Sequence, residues 1–266
     1  MGAQLVPAKA VDEQQADPAH GWQPGSTIFE RAAAAGIGAF RVAAGAFRNS
    51  GLSIAAMRGA DYRAADTLGA LVACTASALT EGGRALVMVY TGDLDATGHA
   101  WGCTSPAWRF QLAYVDRLAE QIAGVLPAGT AMYVTADHGM VDIPASERID
   151  ADAMPDLRDG VALLAGEGRA RHVYAVPGAA ADVLARWEAT LGDSAWVVSR
   201  DQAIERGWFG SVAPWAEARI GDVVAAMRGR SAVVAARAEP RESALIGMHG
   251  SLTPDEQRVP LLGHVA

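Results

Sequence analysis

Two apolar runs set the terms on which this chain folds, Arg84–Tyr90 (RALVMVY) and Ala131–Val134 (AMYV). Consecutive apolar residues of this length suit strands covered on both faces, the pattern of a parallel α/β sheet. Each run stops at a polar, glycine-containing cluster that carries an acid and a histidine: Thr91-Gly92-Asp93-Leu94-Asp95-Ala96-Thr97-Gly98-His99 after the first, Thr135-Ala136-Asp137-His138-Gly139-Met140 after the second. Between them Ser105-Pro106 opens a helix in which Trp108, Leu112, Val115, Leu118, Ile122 and Leu126 recur at three- and four-residue steps, a stripe suited to lie on a sheet. Residues 84–138 therefore read as one β-α-β unit. A right-handed crossover puts the two strand ends on the same edge, where ligands of such sheets collect, and so predicts Asp95 and His99 near Asp137 and His138.

The remainder fits an α/β fold, a mostly parallel sheet with helices on both faces. Residues 1–24 have neither a helical nor a strand period and read as a flexible leader; 25–266 read as the folded domain, with a small α+β insert at about 150–245. Thr27 and Glu30 have capping-box spacing ahead of a helix that Gly36 closes. A strand is predicted over Gly38–Ala44, a short helix over Ser53–Arg58 and a longer one over Tyr62–Leu79. The insert holds predicted strands at Val161–Leu164, His172–Val176, Trp196–Ser199, Asp222–Met227 and Ser231–Ala235, with helices over Ala179–Leu191 and Asp201–Arg206.

With 51% hydrophobic residues and a mean hydropathy of +0.12, the chain has the material for a packed core. A net charge of −8 excludes an electrostatic grip on a long nucleic-acid backbone. Cys74 and Cys103 are too few for a disulfide framework and read as free thiols. The first residues contain no uninterrupted apolar run, so neither a signal peptide nor a membrane anchor is expected, and the expected compartment is the cytoplasm.

Asp95 and His99, four residues apart, can reach one metal from a single turn of chain, and His249 in Gly247-Met248-His249-Gly250-Ser251 makes a third ligand of mixed oxygen and nitrogen type. Three protein ligands are what a catalytic zinc takes while keeping a fourth position open. Asp137 and His138 begin a second site beside it, and two such ions can clamp the attacking and leaving oxygens of a phosphoryl displacement. Among lesser candidates, Arg171 and His172 read as a polar pair on a strand facing solvent, Trp208 and Phe209 as core of the insert or stacking surfaces, and Asp93 as support for a metal-bound imidazole. His20 and His264 are given no role.

The run Val89–Gly102 (VYTGDLDATGHAWG), the following helix, TADHGM and the late GMHGS resemble the nucleotide pyrophosphatase/phosphodiesterase group of the alkaline phosphatase superfamily over roughly residues 21–262. The resemblance implies an alkaline-phosphatase-like fold and hydrolysis of phosphodiester or pyrophosphate bonds in small phosphate esters or nucleotides. It implies two divalent ions, most simply zinc, with Asp95, His99 and His249 on one and Asp137 and His138 on the other. It also implies a covalent Thr or Ser intermediate. That nucleophile, and a further aspartate at the end of the family's first strand, precede the part of the family that this sequence matches. Asp12 and Asp17 lie in the leader, Asp61 and Asp66 flank the predicted helix, and Ser26 and Thr27 serve as caps, so no catalytic nucleophile is assigned. A missing N-terminal segment or a partner chain is expected to supply it. The alternatives are a non-catalytic metal-binding remnant, or a phosphomonoesterase, sulfatase or phosphonate hydrolase of the same superfamily.

Overall fold

The computed structural model describes residues 21–266. Most of the leader, with Asp12, Asp17 and His20, lies outside the described residues. The chain divides into two compact units: one runs through Gly92 and includes Val115–Met132 and His264–Ala266, and the other comprises Asp93–Tyr114 and Tyr133–Gly263.

The first unit is built on a three-stranded parallel sheet. Helix α1 (Ile28–Ala34) starts at Thr27, whose hydroxyl accepts the Glu30 N–H while the Glu30 carboxylate accepts the Thr27 N–H at 2.8 Å, the expected capping box. Strand β1 (Gly38–Ala43) follows, then α2 (Gly51–Ala56), β2 (Asp61–Ala64), α3 (Leu68–Thr80) and β3 (Ala85–Val89). Strand order is β2-β1-β3, with Arg41 opposite Tyr62 on one side and Met88 on the other. Val42 of the central strand is fully buried and packs with Leu71, Leu118 and Ile122.

The helix predicted over Tyr62–Leu79 begins only at Leu68, because Thr67 caps it by accepting the Ala70 N–H and the preceding residues pair with β1. Asp66 consequently sits between the end of β2 and the Thr67 cap, and its carboxylate accepts the Gly45 N–H at 2.7 Å. The polar cluster after β3, for which no element was predicted, forms helix α4 (Asp93–Trp101).

Helix α5 (Pro106–Ala123) buries Leu118 and Ile122, but Leu112 of the predicted stripe is exposed, as are Phe110 and Tyr114. Strand β4 (Ala131–Thr135) pairs with the final strand and not with β3, so the predicted β-α-β unit does not close within one hydrogen-bonded sheet. β3 bonds to β1 along one edge, and among the described residues no strand lies along its other edge.

The second unit contains β5 (Val141–Asp142), β6 (Arg148–Asp150), β7 (Val161–Glu167), β8 (Ala170–Ala175), α6 (Ala180–Leu191), β9 (Ala195–Ser199), α7 (Arg200–Glu205), α8 (Pro214–Glu217), β10 (Val223–Met227), β11 (Ala232–Val234), β12 (Gly247–Met248) and α9 (Pro254–Gln257), and β13 (Leu261–Val265) ends the chain. An antiparallel sheet of order β7-β8-β10-β9 is covered by α6, whose Val183, Trp187 and Leu191 meet Val173, Val223, Ala225 and Met227 in its core. Strands β11 and β6 pair in parallel, and β12 pairs antiparallel with β5. These pairs of two or three residues are too short to show a period in sequence. Among the described residues no helix is long and apolar enough to cross a membrane.

Candidate metal centre

Asp95 and His99 lie one turn apart on α4, which puts them on one face. His99 Nε2 stands 3.3 Å from Asp95 Oδ1, and His249 Nε2, from the residue after β12, stands 3.8 Å from the same oxygen. One ligand atom from each of the three lies within 4.8 Å of the others. The shared oxygen is buried and takes part in no well-aligned hydrogen bond. The His99 ring is fixed from behind, with Nδ1 2.8 Å from the Gly247 carbonyl oxygen. We assign the proton to Nδ1, since a carbonyl can only accept, which leaves the Nε2 lone pair directed at Asp95.

Close backbone approach makes this convergence possible. The Ile246 N–H donates to the His99 carbonyl at 2.8 Å. A Cβ at residue 247 would lie 2.6 Å from the Gly98 carbonyl oxygen, and a Cβ at either 98 or 247 would lie 2.4 Å from Met140 Sδ. Only glycine lets β12 run this near α4. The far end of α4 is tied by Asp142, whose carboxylate accepts the Cys103 N–H at 2.6 Å and the Thr104 N–H and hydroxyl at 3.2 and 2.9 Å. Burial would push the Asp142 carboxyl up, but these donors outweigh it and hold it below the usual range. Burial, together with Asp142, pushes the Cys103 thiol up to about 12.

His138 packs face to face on His249, ring centroids 3.5 Å apart and 13° from parallel. Its Nδ1 is 2.8 Å from the Gly139 carbonyl oxygen, and the same reasoning leaves Nε2 free of a proton. Asp137 stands at the margin: its side chain is 73% exposed and its Oδ1 is 3.7 Å from His138 Nε2. Of the five expected ligands the fold thus gathers four, with Asp137 at the rim. Burial raises the Asp95 carboxyl, yet the His99 contact and the charges of three imidazoles bring it below its ordinary value. His99 is raised, first by its contact with Asp95, while burial and the neighbouring His138 lower His249.

The lesser candidates fall elsewhere. The Thr27 hydroxyl donates to the Arg58 carbonyl besides capping α1, so it is fully occupied. Arg171 does not face solvent: it is buried, donating to the Val233 and Gly166 carbonyls and paired with Glu239. His172 is half-buried, its Nδ1 accepting the Gly221 N–H at 3.1 Å, and burial lowers its pKa. Trp208 packs in the core formed by Val198, Ala203, Ile220 and Val224, whereas Phe209 lines a small cavity with His172 and Trp215. The backbone carbonyl of Asp93 takes the Thr97 hydroxyl at 2.7 Å. His264 lies on exposed β13, and both cysteines are free and half-buried.

Sequence reasoning passed over Asp142, Arg169 and Glu256. The available signal was Thr253-Pro254-Asp255-Glu256, a cap, a helix-starting proline and an acid at capping-box spacing.

The α/β chain thus gathers Asp95, His99 and His249, with His138 stacked on His249. It belongs to the type I phosphodiesterase/nucleotide pyrophosphatase family, whose model matches residues 8–252. Murine ectonucleotide pyrophosphatase/phosphodiesterase 5 superposes with a TM-score of 0.70 at 17% identity, over 91% of this chain and 64% of its own. The human counterpart gives 0.66 at 17% identity, over 93% and 65%. Phosphonoacetate hydrolase from Sinorhizobium meliloti gives 0.65 at 19%, over 89% and 67%. The chain thus spans about two thirds of the length of these solved structures, and at such identities the likeness is one of fold. No curated protein sequence matches it.

Proposed function

We propose that the chain is the metal-binding part of a hydrolase of phosphodiester or pyrophosphate bonds. Asp95, His99 and His249 would hold one divalent ion, most simply zinc, and Asp137 with His138 would begin the site of a second. The observation that carries this reading is the buried Asp95 Oδ1, which lacks an aligned hydrogen bond and faces the Nε2 atoms of two histidines at 3.3 and 3.8 Å. A buried anionic oxygen left in that state costs free energy on the order of 1–3 kcal/mol, and a cation would recover it. When bound, the ions supply charge stabilisation to the transferring phosphoryl group and lower the pKa of the attacking oxygen.

The residues present do the holding. Gly247 keeps the His99 ring in the ligating tautomer, and Asp142 keeps the end of α4 in place. Asp137 and His138 bring two ligands where about three are wanted, so we assign the third ligand and the Thr or Ser nucleophile to a segment or partner chain outside the described residues. An inactive threonine-to-alanine variant of the murine relative was solved in complex with AMP, which favours a hydroxyl nucleophile and a nucleotide-like substrate here. The exposure of Asp137 favours, as a second reading, a metal-binding chain without turnover of its own.

Zinc content, and assays of a nitrophenyl phosphodiester beside the monoester, the sulfate ester and a phosphonate, test both. Bound zinc with diesterase activity when the proposed segment or partner chain is present supports the first reading. Zinc without turnover under that condition supports the second, and absence of metal sinks both.

A further inference from the structure

Behind the histidines lies a buried ion pair that the proposed chemistry leaves unused. Arg169, in the turn from β7 to β8, and Glu256, on α9, are 0% and 1% exposed. They meet in a two-pronged contact, Nε to Oε1 at 3.0 Å and Nη2 to Oε2 at 2.6 Å. Arg169 is bolted to the sheet, its Nη1 donating to the Ser231 carbonyl at 2.6 Å and its own carbonyl accepting the Met227 N–H at 2.8 Å.

Glu256 in turn holds both histidine-bearing loops. Oε1 accepts the N–H of Ser251, two residues after His249, at 3.0 Å. Its backbone carbonyl accepts the N–H of Gly139, next to His138, at 2.7 Å. The second contact is so close that a Cβ at residue 139 would lie 2.0 Å from the Asp255 carbonyl oxygen. The two attachments lie next to the stacked rings of His138 and His249.

We propose that Glu256, clamped by Arg169, is a positioning residue that sets the spacing of the His138 and His249 loops; the inference rests on the reading of these histidines as metal-site residues. Charged hydrogen bonds in a dry site fix geometry closely, and supporting bonds of this kind typically alter metal affinity by about 10–100-fold. Replacing a buried pair by apolar residues of similar volume is often neutral for stability, which allows spacing and stability to be separated.

The test uses the full chain with Glu256→Gln and with the double change Arg169→Met, Glu256→Met. Two quantities are read: cobalt(II) affinity from its visible absorption, and, without metal, the magnetisation transfer between the His138 and His249 rings. The expected result is a 10–100-fold weaker cobalt affinity and loss of the ring contact in both variants, with the melting temperature of the double variant unchanged. A folded variant that keeps both cobalt affinity and ring contact overturns the proposal. So does unfolding of both variants, which would assign the pair to global stability. If the wild-type chain binds no cobalt, the metal reading fails, while the ring contact still decides whether Glu256 sets the spacing.

Discussion

At the scale of single residues, Asp95 carries the most consequence, since two imidazoles converge on one of its oxygens. Asp95→Asn is expected to weaken zinc or cobalt binding by at least the roughly 10–100-fold that losing a mere supporting bond costs, measured by metal titration. In the metal-free chain the two triad histidines should separate in an NMR pH titration, His99 above the ordinary value of about 6.5 and His249 below it. Because the folded His99 pKa is raised, its contribution to stability is full below about 6.5 and is lost as pH rises through the folded value; His249, lowered, opposes it on the acid side. Opposite ordering of the two midpoints would contradict the geometry. Cys103, pushed up to about 12, should react with an alkylating reagent at pH 8 far more slowly than a free thiol, as mass spectrometry of the labelled peptide can show. Asp95, His99, Asp137 and His138 could be singled out as candidates because acid and histidine at strand ends and at four-residue spacing are local patterns, and His249 from the short run Gly247–Ser251. Glu256 and Arg169 were not, since they lie 87 positions apart and only folding joins them.

At the scale of elements, local signals fared well where caps or long periods existed. Thr27 with Glu30 marked α1, and the apolar runs marked β1 and β3. The same signals misplaced the start of α3, where three residues of β2, Tyr62–Ala64, looked helical until paired with β1. Tertiary pairing overrides weak propensity over so short a span. Helix α6 offers a direct test of packing. Trp187 is fully buried, yet its indole N–H lacks a hydrogen-bond partner. Trp187→Ala should cost about 3–5 kcal/mol, whereas Trp187→Phe should cost only about 1 kcal/mol, because removing the unsatisfied donor offsets much of the lost volume. Urea unfolding of the two variants checks the difference.

At the scale of the whole molecule, several large apolar side chains are exposed among the described residues. Phe110, Tyr114 and Tyr133 are 69%, 58% and 72% exposed, and β3 has no strand along its outer edge among the described residues. Exposed aromatic rings offer a hydrophobic probe apolar surface to bind. The folded chain should therefore bind a hydrophobic dye such as ANS, and Phe110→Ser with Tyr133→Ser should reduce the signal without lowering the melting temperature. Unaltered fluorescence would locate the apolar surface elsewhere.

The sequence by itself determined the α/β class and the identities of the metal-site candidates, because alternation, capping and ligand chemistry are properties of neighbouring residues. Which strand pairs with which, how far the predicted stripe of α5 is buried, and how the His138 and His249 loops come face to face were decided only by tertiary structure. Those outcomes depend on contacts between residues far apart in the chain, and no local period records them.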